Sequence, residues 1–220
     1  MRVLVLGGCG IQGKAATVDL SGSPAVERVI CADASLEGLR DISDFIDKTK
    51  VRSASLDAGD SESLERLFRQ ADVAIDLLPR QFLETVCQAA IRTGISVVNT
   101  NYAHPIAHLH ESAQRAGMAI LPECGLDPGI DLFIYGEARR RFDALNVINS
   151  YCGGFPEPTA CDNPLNYKVS WVFEGVLAST KRESRIIREG KVIDIPSDRQ
   201  HEPAYVHTVD FPGLGQLEAI

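Results

Sequence analysis

The sequence predicts an α/β chain, with an N-terminal doubly wound parallel sheet and then a partial α+β domain with antiparallel strands. Three observations carry that prediction. Short apolar runs alternate with helix-period stretches through about residue 125. The first run stops at a glycine-rich turn that opens a helix. Beyond it the chain turns to Gly- and Pro-rich loops and short alternating stretches.

Val3–Leu6 is short and wholly apolar, as a central parallel strand buried on both faces must be. A helix is expected over Ile11–Leu20, a strand over Arg28–Ala32, and a helix over Leu36–Ile46 with Leu36, Leu39, Ile42 and Ile46 on one face. Val51–Leu56 is the third strand. Ser61–Gln70 is a helix with acidic residues in its first turn, where the helix dipole favours them. Asp72–Leu78 is the fourth strand. Leu83–Thr93 is a helix closed by Gly94, and Ser96–Asn99 is the fifth strand. Pro105–Ala116 is a helix closed by Gly117, and Met118–Leu121 is the sixth strand. Farther on, Cys152–Asn166 reads as a long loop and 167–172 as a strand. Arg185–Ile195 reads as a hairpin turning at Glu189-Gly190-Lys191. Residues 205–211 form another strand, with a turn after it entering one more. The domain division implied is 1–126 and 127–220.

Composition excludes several classes. The 22 basic and 30 acidic residues give a net charge of −8, which argues against a general nucleic-acid binder. Arg139-Arg140-Arg141 is too short for a phosphate-binding stripe and reads as a helix end. No apolar run approaches a membrane span, and no secretory leader precedes the first strand. The six cysteines show no zinc-like spacing, so no metal is expected and reduced thiols in the cytoplasm are the simplest reading. His104 and His108 stand four apart without a His-Glu-x-x-His pattern, which suits an exposed polar helix face. Cys124 reads as a core residue and Trp171 as an anchor of the second domain.

Gly8-Cys9-Gly10-Ile11-Gln12-Gly13 is G-x-G-x-x-G between a strand and a helix, the context this pattern needs to bind a dinucleotide. Gly8 is read as permitting the tight turn, Gly10 as letting a pyrophosphate approach, and Gly13 as letting the helix pack on the strand. Backbone N–H groups at the helix start, Ile11 and Gln12 among them, then face the phosphate. Asp33 ends the second strand, where a carboxylate accepts from the adenosine ribose hydroxyls and repels a 2′-phosphate. NAD is therefore expected ahead of NADP, in a Rossmann domain. Asp57 follows the third strand and reads either as an adenine-side group or as a residue serving its own loop. Leu78 and Pro79 follow the fourth strand, and the backbone after Leu77 is expected to form the lip of the nicotinamide pocket.

Gly125-Leu126-Asp127-Pro128-Gly129-Ile130-Asp131 follows the sixth strand, with Asp127 expected as an N-cap before Pro128 at the first helical position. Ser150-Tyr151-Cys152-Gly153-Gly154-Phe155-Pro156 comes next, and then Asn163-Pro164-Leu165-Asn166-Tyr167-Lys168-Val169-Ser170-Trp171. With these motifs the chain resembles the saccharopine dehydrogenase family, in the branch of glutamate-forming saccharopine reductases and lysine 6-dehydrogenases. The resemblance implies NAD(P)-dependent hydride transfer through an imine at a carbon–nitrogen bond of an amino acid such as saccharopine or lysine. It implies Asp127 and Cys152 as polar groups beside the reacting amine, and Tyr102 as a residue of the substrate pocket. Asn163 and Lys168 fall in the matching loop of the second domain. The chemistry needs proton transfers by groups within hydrogen-bond reach, and a carboxylate steadies developing positive charge. Cys152 is open to that role or to that of a small apolar residue, and Lys168 to pairing with a substrate carboxylate or facing solvent.

Within the family, Asp33 leans toward the lysine 6-dehydrogenases, while Cys152 and Asn163-Pro164-Leu165 lean toward the reductases. Two alternatives stay open: an oxidoreductase of polyamine precursors such as carboxynorspermidine, and a dinucleotide-binding sensor without chemistry. Family members run well beyond 220 residues, so a C-terminally shortened second domain is expected. An exposed sheet edge there would favour a homo-oligomer. The expected partner is a small amino-acid substrate, with neither nucleic acid nor membrane.

Overall fold

The computed structural model describes residues 1–154, 156–164, 168 and 173–219. These form two compact units, Met1–Ile148 and Asn149–Ile220.

The first unit is built on β1 (Arg2–Leu6), β2 (Arg28–Asp33), β3 (Val51–Ser55), β4 (Val73–Asp76), β5 (Ser96–Asn99) and β6 (Ile120–Leu121). They pair in parallel in the order β3-β2-β1-β4-β5-β6. The order reverses at β1 and β4, so a crevice opens beyond the carboxyl ends of these two strands. Alternation along β1 explains its uniform apolarity. Leu4 and Leu6 join one buried cluster with Phe68, Val86 and Val97, whereas Val3 and Val5 join another with Val29 and Cys31.

The helices follow their sequence signals, with two instructive departures. α1 (Ile11–Gly22) buries Gly13, Thr17 and Ser21, a row of small residues four apart that brings it close to the sheet. α2 (Ser61–Phe68) is capped by Asp60, whose carboxylate accepts from Glu62 N–H at 2.9 Å. α3 (Leu83–Thr93) ends at Gly94 with φ +70°. The helix expected over 36–46 is only a 3₁₀ segment, Glu37–Ile42. Gly38 lies against the glycine loop there, and a Cβ on it would meet Cys9 O at 2.5 Å. The segment is tied to the loop instead of continuing as a helix. The helix expected over 105–116 is likewise a 3₁₀ turn, His104–Leu109, leading into α4 (His110–Arg115). α5 (Ile130–Arg141) ends on the three arginines, as expected for the favourable end of a helix dipole.

The second unit holds α6 (Phe173–Ser179), β7 (Ser184–Arg188), β8 (Lys191–Ile195), β9 (His207–Phe211) and β10 (Gly215–Ala219). β7 and β8 form the expected hairpin, turning through Glu189 (φ +53°) and Gly190 (φ +73°), the primed turn that suits two-residue hairpins. β9 and β10 form a second antiparallel pair. Ile195 is the buried apolar residue among the described residues of this unit. The strand expected over 167–172 lies outside the described residues, Lys168 excepted, and so does Trp171.

Candidate functional site

β1 delivers the chain to Gly7-Gly8, and both N–H groups donate to Ala32 O, at 2.9 and 3.1 Å. The left-handed residue is Gly7 (φ +75°), one position before the spaced motif, so the tight turn assigned to Gly8 belongs to Gly7. Gly8 has a different reason to be glycine: a Cβ there would lie 2.5 Å from Cys31 Sγ. Gly13 is the most constrained, since a Cβ would stand 2.0 Å from Gly7 O. Gly10 caps α1 with no side-chain hydrogen bond, and Gly10, Ile11 and Gln12 are exposed. The N–H groups of Ile11, Gln12 and Gly13 have no acceptor within the helix. The exposed face at Ile11 and Gln12 and the helix dipole suit a dinucleotide pyrophosphate.

Asp33 stands at the end of β2 beside this loop. Its carboxylate accepts from Cys9 N–H at 2.9 Å and from Ser35 N–H at 3.3 Å. Cys9, Gly10, Asp33, Ser35, Glu37, Gly38 and Asp41 line a cleft of about 490 Å³. Lys14 Nζ meets Asp41 at 2.9 Å at its rim. A second cleft of about 450 Å³ lies between the loops after β2, β3 and β4, with Asp33, Asp57, Leu78 and Pro79 among its walls. The Asp57 carboxylate accepts from Gly59 N–H at 2.9 Å, so it also stabilises its own turn. Leu78 and Pro79, expected at the lip of a nicotinamide pocket, stand in one cleft with Asp33 and Asp57, on the side expected for the adenine.

The sheet edge continues through two loops that are fastened together. Glu123 N–H donates to Asn101 O, Cys124 N–H to Asn99 O, and Ala103 N–H to the Glu123 carboxylate, all at 2.9 Å. The first loop carries the exposed Tyr102 and the second the exposed Asp127. Asp127 is not the helix cap. The Asp127–Pro128 peptide is cis and Gly129 (φ +157°) caps α5, its N–H donating to the Asp131 carboxylate at 2.7 Å. A Cβ on Gly129 would lie 2.0 Å from Gly125 O, which explains both glycines as a close backbone crossing and leaves Asp127 at its tip. Cys124, expected in the core, is exposed, because β6 ends three residues earlier and the chain is already in the surface loop.

Two residues that the motif reading passed over lie beneath this edge. Asp76 and Asn99 are register partners at the ends of β4 and β5, and both are fully buried. Asp76 Oδ1 accepts from Leu78 N–H at 3.1 Å and Asn99 Oδ1 from Asn101 N–H at 2.9 Å. Each therefore pins the loop that follows its strand. Asp76 Oδ2 and Asn99 Nδ2 lack partners among the described residues, and burial pushes the Asp76 carboxyl up to about 7. The available signal was an acid closing an apolar strand.

Cys152, Asn163 and Lys168 all belong to the second unit, with Cys152 and Lys168 exposed and Asn163 half-buried. His108 Nε2 lies 3.1 Å from Glu84 Oε1 on the exposed helical surface.

Comparison with known proteins agrees with this architecture. Residues 3–121 match the model of the saccharopine dehydrogenase NADP binding domain, and residues 125–220 that of the saccharopine dehydrogenase C-terminal domain. The chain is 37% identical over 153 residues to saccharopine dehydrogenase [NADP(+), L-glutamate-forming] of Saccharomyces cerevisiae, a match covering 67% of this chain and 34% of that protein. It is 30% identical over 219 residues to mitochondrial alpha-aminoadipic semialdehyde synthase of Mus musculus, covering 97% of this chain and 23% of the relative. Among solved structures, the apo histidine-tagged saccharopine dehydrogenase (L-Glu forming) from Saccharomyces cerevisiae superimposes with a TM-score of 0.78 at 31% identity. That superposition covers 97% of this chain and 48% of the other. The chain thus spans about a third of the length of the first of these curated relatives and half of the solved one. Since the first family model alone accounts for more than half of the residues, this chain belongs to the saccharopine dehydrogenase family.

Proposed function

We propose that the chain binds a nicotinamide dinucleotide and serves an oxidoreductase acting on a carbon–nitrogen bond of a saccharopine-type amino acid. The observation that carries this reading is the glycine cradle at the switch point of the sheet, where Gly7, Gly8 and Gly13 admit no side chain without a clash. Gly10 and the N–H groups of Ile11, Gln12 and Gly13 hold the pyrophosphate. Asp33 takes the adenosine ribose, while Asp57, Leu78 and Pro79 wall the adenine side. When bound, the dinucleotide supplies hydride-transfer chemistry.

Asp127 and Tyr102 stand on loops at the sheet edge that share backbone hydrogen bonds. In this reading Asp127 holds or moves a proton at the reacting amine and steadies positive charge there. Tyr102 shapes the substrate side. For Cys152, Asn163 and Lys168, which stand in the second unit, the family resemblance alone supports a substrate-side role, with Lys168 as partner of a substrate carboxylate.

The matched N-terminal domain is named for NADP binding and the fungal saccharopine dehydrogenases for NADP(+), which supports NADP and not NAD. The preference for NAD rests on this chain's own charges. Asp33, Glu37 and Asp41 line one cleft, and Lys14 is engaged with Asp41, so a 2′-phosphate would enter a carboxylate-rich wall. The test is a titration with NAD and NADP separately, followed by a panel of saccharopine, lysine and carboxynorspermidine read at the reduced-nicotinamide absorbance. Tighter binding of NAD with turnover of saccharopine is the expected result. Tighter binding of NADP refutes the cofactor preference, and failure of both dinucleotides to bind refutes the function.

A further inference from the structure

Cys9 occupies the variable position inside the glycine fingerprint, and its Sγ lies 3.9 Å from Sγ of Cys31 on β2. This places two thiols in van der Waals contact within the dinucleotide cradle itself. Cys31 Sγ fills the space a side chain on Gly8 would need, so the sulfur sits directly under the loop. Cys9 lines the cleft in front of it and is partly exposed, while Cys31 is fully buried. Such an arrangement gives one thiol that a small molecule can reach and one that can resolve the product.

We propose that Cys9 and Cys31 form a thiol–disulfide site whose oxidation by a small-molecule disulfide such as oxidised glutathione closes the cradle to dinucleotide. The gating part rests on the dinucleotide-binding reading above. In the first step Cys9 thiolate attacks one sulfur of the oxidant, the oxidant's S–S bond breaks, and one glutathione thiolate leaves with a proton from solvent. In the second, Cys31 thiolate attacks the Cys9 sulfur and the second glutathione leaves. Two thiols lose two electrons, the oxidant gains them, and two glutathione thiols are released.

Closure requires an S–S distance of about 2.05 Å, so the sulfurs must approach by roughly 1.9 Å. Cys31 is held between β1 and β3 through its pairing with Val5 and Ser53. The adjustment therefore falls on Cys9. Its N–H donates to the Asp33 carboxylate at 2.9 Å, and its carbonyl lies against Gly38. Drawing Cys9 toward the sheet shifts Gly10 and weakens the Cys9–Asp33 contact, the two features that meet pyrophosphate and ribose. Burial raises both thiols, Cys31 to about 12, so the exchange is slow at neutral pH and an alkaline incubation is the practical assay.

The test treats the full chain with oxidised glutathione at about pH 8.5, caps residual thiols, and maps disulfides by peptide mass spectrometry. Dinucleotide affinity is measured before oxidation, after it, and after reduction by dithiothreitol. The expected result is a Cys9–Cys31 linked peptide, an affinity lowered by about tenfold or more, and full recovery on reduction. Cys31→Ala, checked for folding by thermal melting and backed by Cys31→Ser, should stop at the Cys9–glutathione mixed disulfide and give no linked peptide, whereas Cys9→Ser should carry its own untreated affinity through the treatment. Absence of the linked peptide overturns the site. A linked protein of unchanged affinity overturns the gating. A reduced protein that binds no dinucleotide contradicts the functional reading and the gating together, while the linked peptide still reports on the thiol pair.

Discussion

The two units differ in where their apolar residues go. In Met1–Ile148 a parallel sheet is covered on both faces, and residues such as Leu4, Phe68 and Val86 are completely buried. In Asn149–Ile220 two separate hairpins leave Ile187 and Val192 well exposed, and Ile195 is buried. Two-stranded sheets are only marginally stable by themselves, whereas a sheet with two covered faces makes its own core. The comparison teaches that backbone precision, of the kind the glycine cradle requires, is found where the core is continuous.

Substitutions can break or sharpen this contrast. The largest effect is expected from Gly13→Ala, whose Cβ would meet backbone oxygen at 2.0 Å. Dinucleotide affinity should fall by at least about a hundredfold, together with a lowered melting temperature of the first unit. Titration and calorimetry on the same sample would show both. Phe68→Ala removes a fully buried ring and should cost about 3–5 kcal/mol in urea unfolding. Ile187→Ala, at a residue 74% exposed, should stay within about 0.5 kcal/mol. Equal costs at the two positions would erase the contrast.

A pH series probes the sheet edge. Burial raises the Asp76 carboxyl to about 7, above its value of about 3.9 in an unfolded chain. The folded state then binds more protons than the unfolded state between these values. Its stability is fully present below about pH 4 and falls as pH rises through 7, by about 2–4 kcal/mol. Asp76→Asn keeps an oxygen for Leu78 N–H and should flatten that slope in urea midpoints taken from pH 4 to 8. A wild-type protein without the slope would contradict the account of Asp76. A local effect is expected at Gly190→Ala, where φ is +73° in the β7–β8 turn. A loss of about 1 kcal/mol confined to that hairpin, seen in local amide exchange, fits a left-handed position.

Legibility in the sequence followed the same division. β1 and β2 were readable because strands buried on both faces are written as apolar runs such as Val3–Leu6 and Val29–Ala32. The β7–β8 hairpin was readable because Glu189-Gly190 interrupts an alternating pattern. What escaped depended on distant contacts. Residues 36–46 carry a helical period, yet Gly38 must approach Cys9, twenty-nine positions away, and the segment becomes a short 3₁₀ turn. Asp127-Pro128 has the look of a helix start, but the Gly125–Gly129 crossing moves the cap to Gly129. In the candidate site, Asp33 and the spaced glycines were legible as a motif, while the places of Gly7, Asp76 and Asn99 were not. Their importance comes from a left-handed turn and from strand register, which a linear motif does not record.

The central claim is that the first unit holds the dinucleotide in its glycine cradle. Hydrogen–deuterium exchange of the full chain with and without saturating dinucleotide tests it most directly. The account predicts new protection in peptides covering residues 7–14 and 76–82, with the hairpins over 184–195 and 207–219 unchanged. Protection that leaves residues 7–14 untouched, or that appears in the hairpins alone, would contradict it.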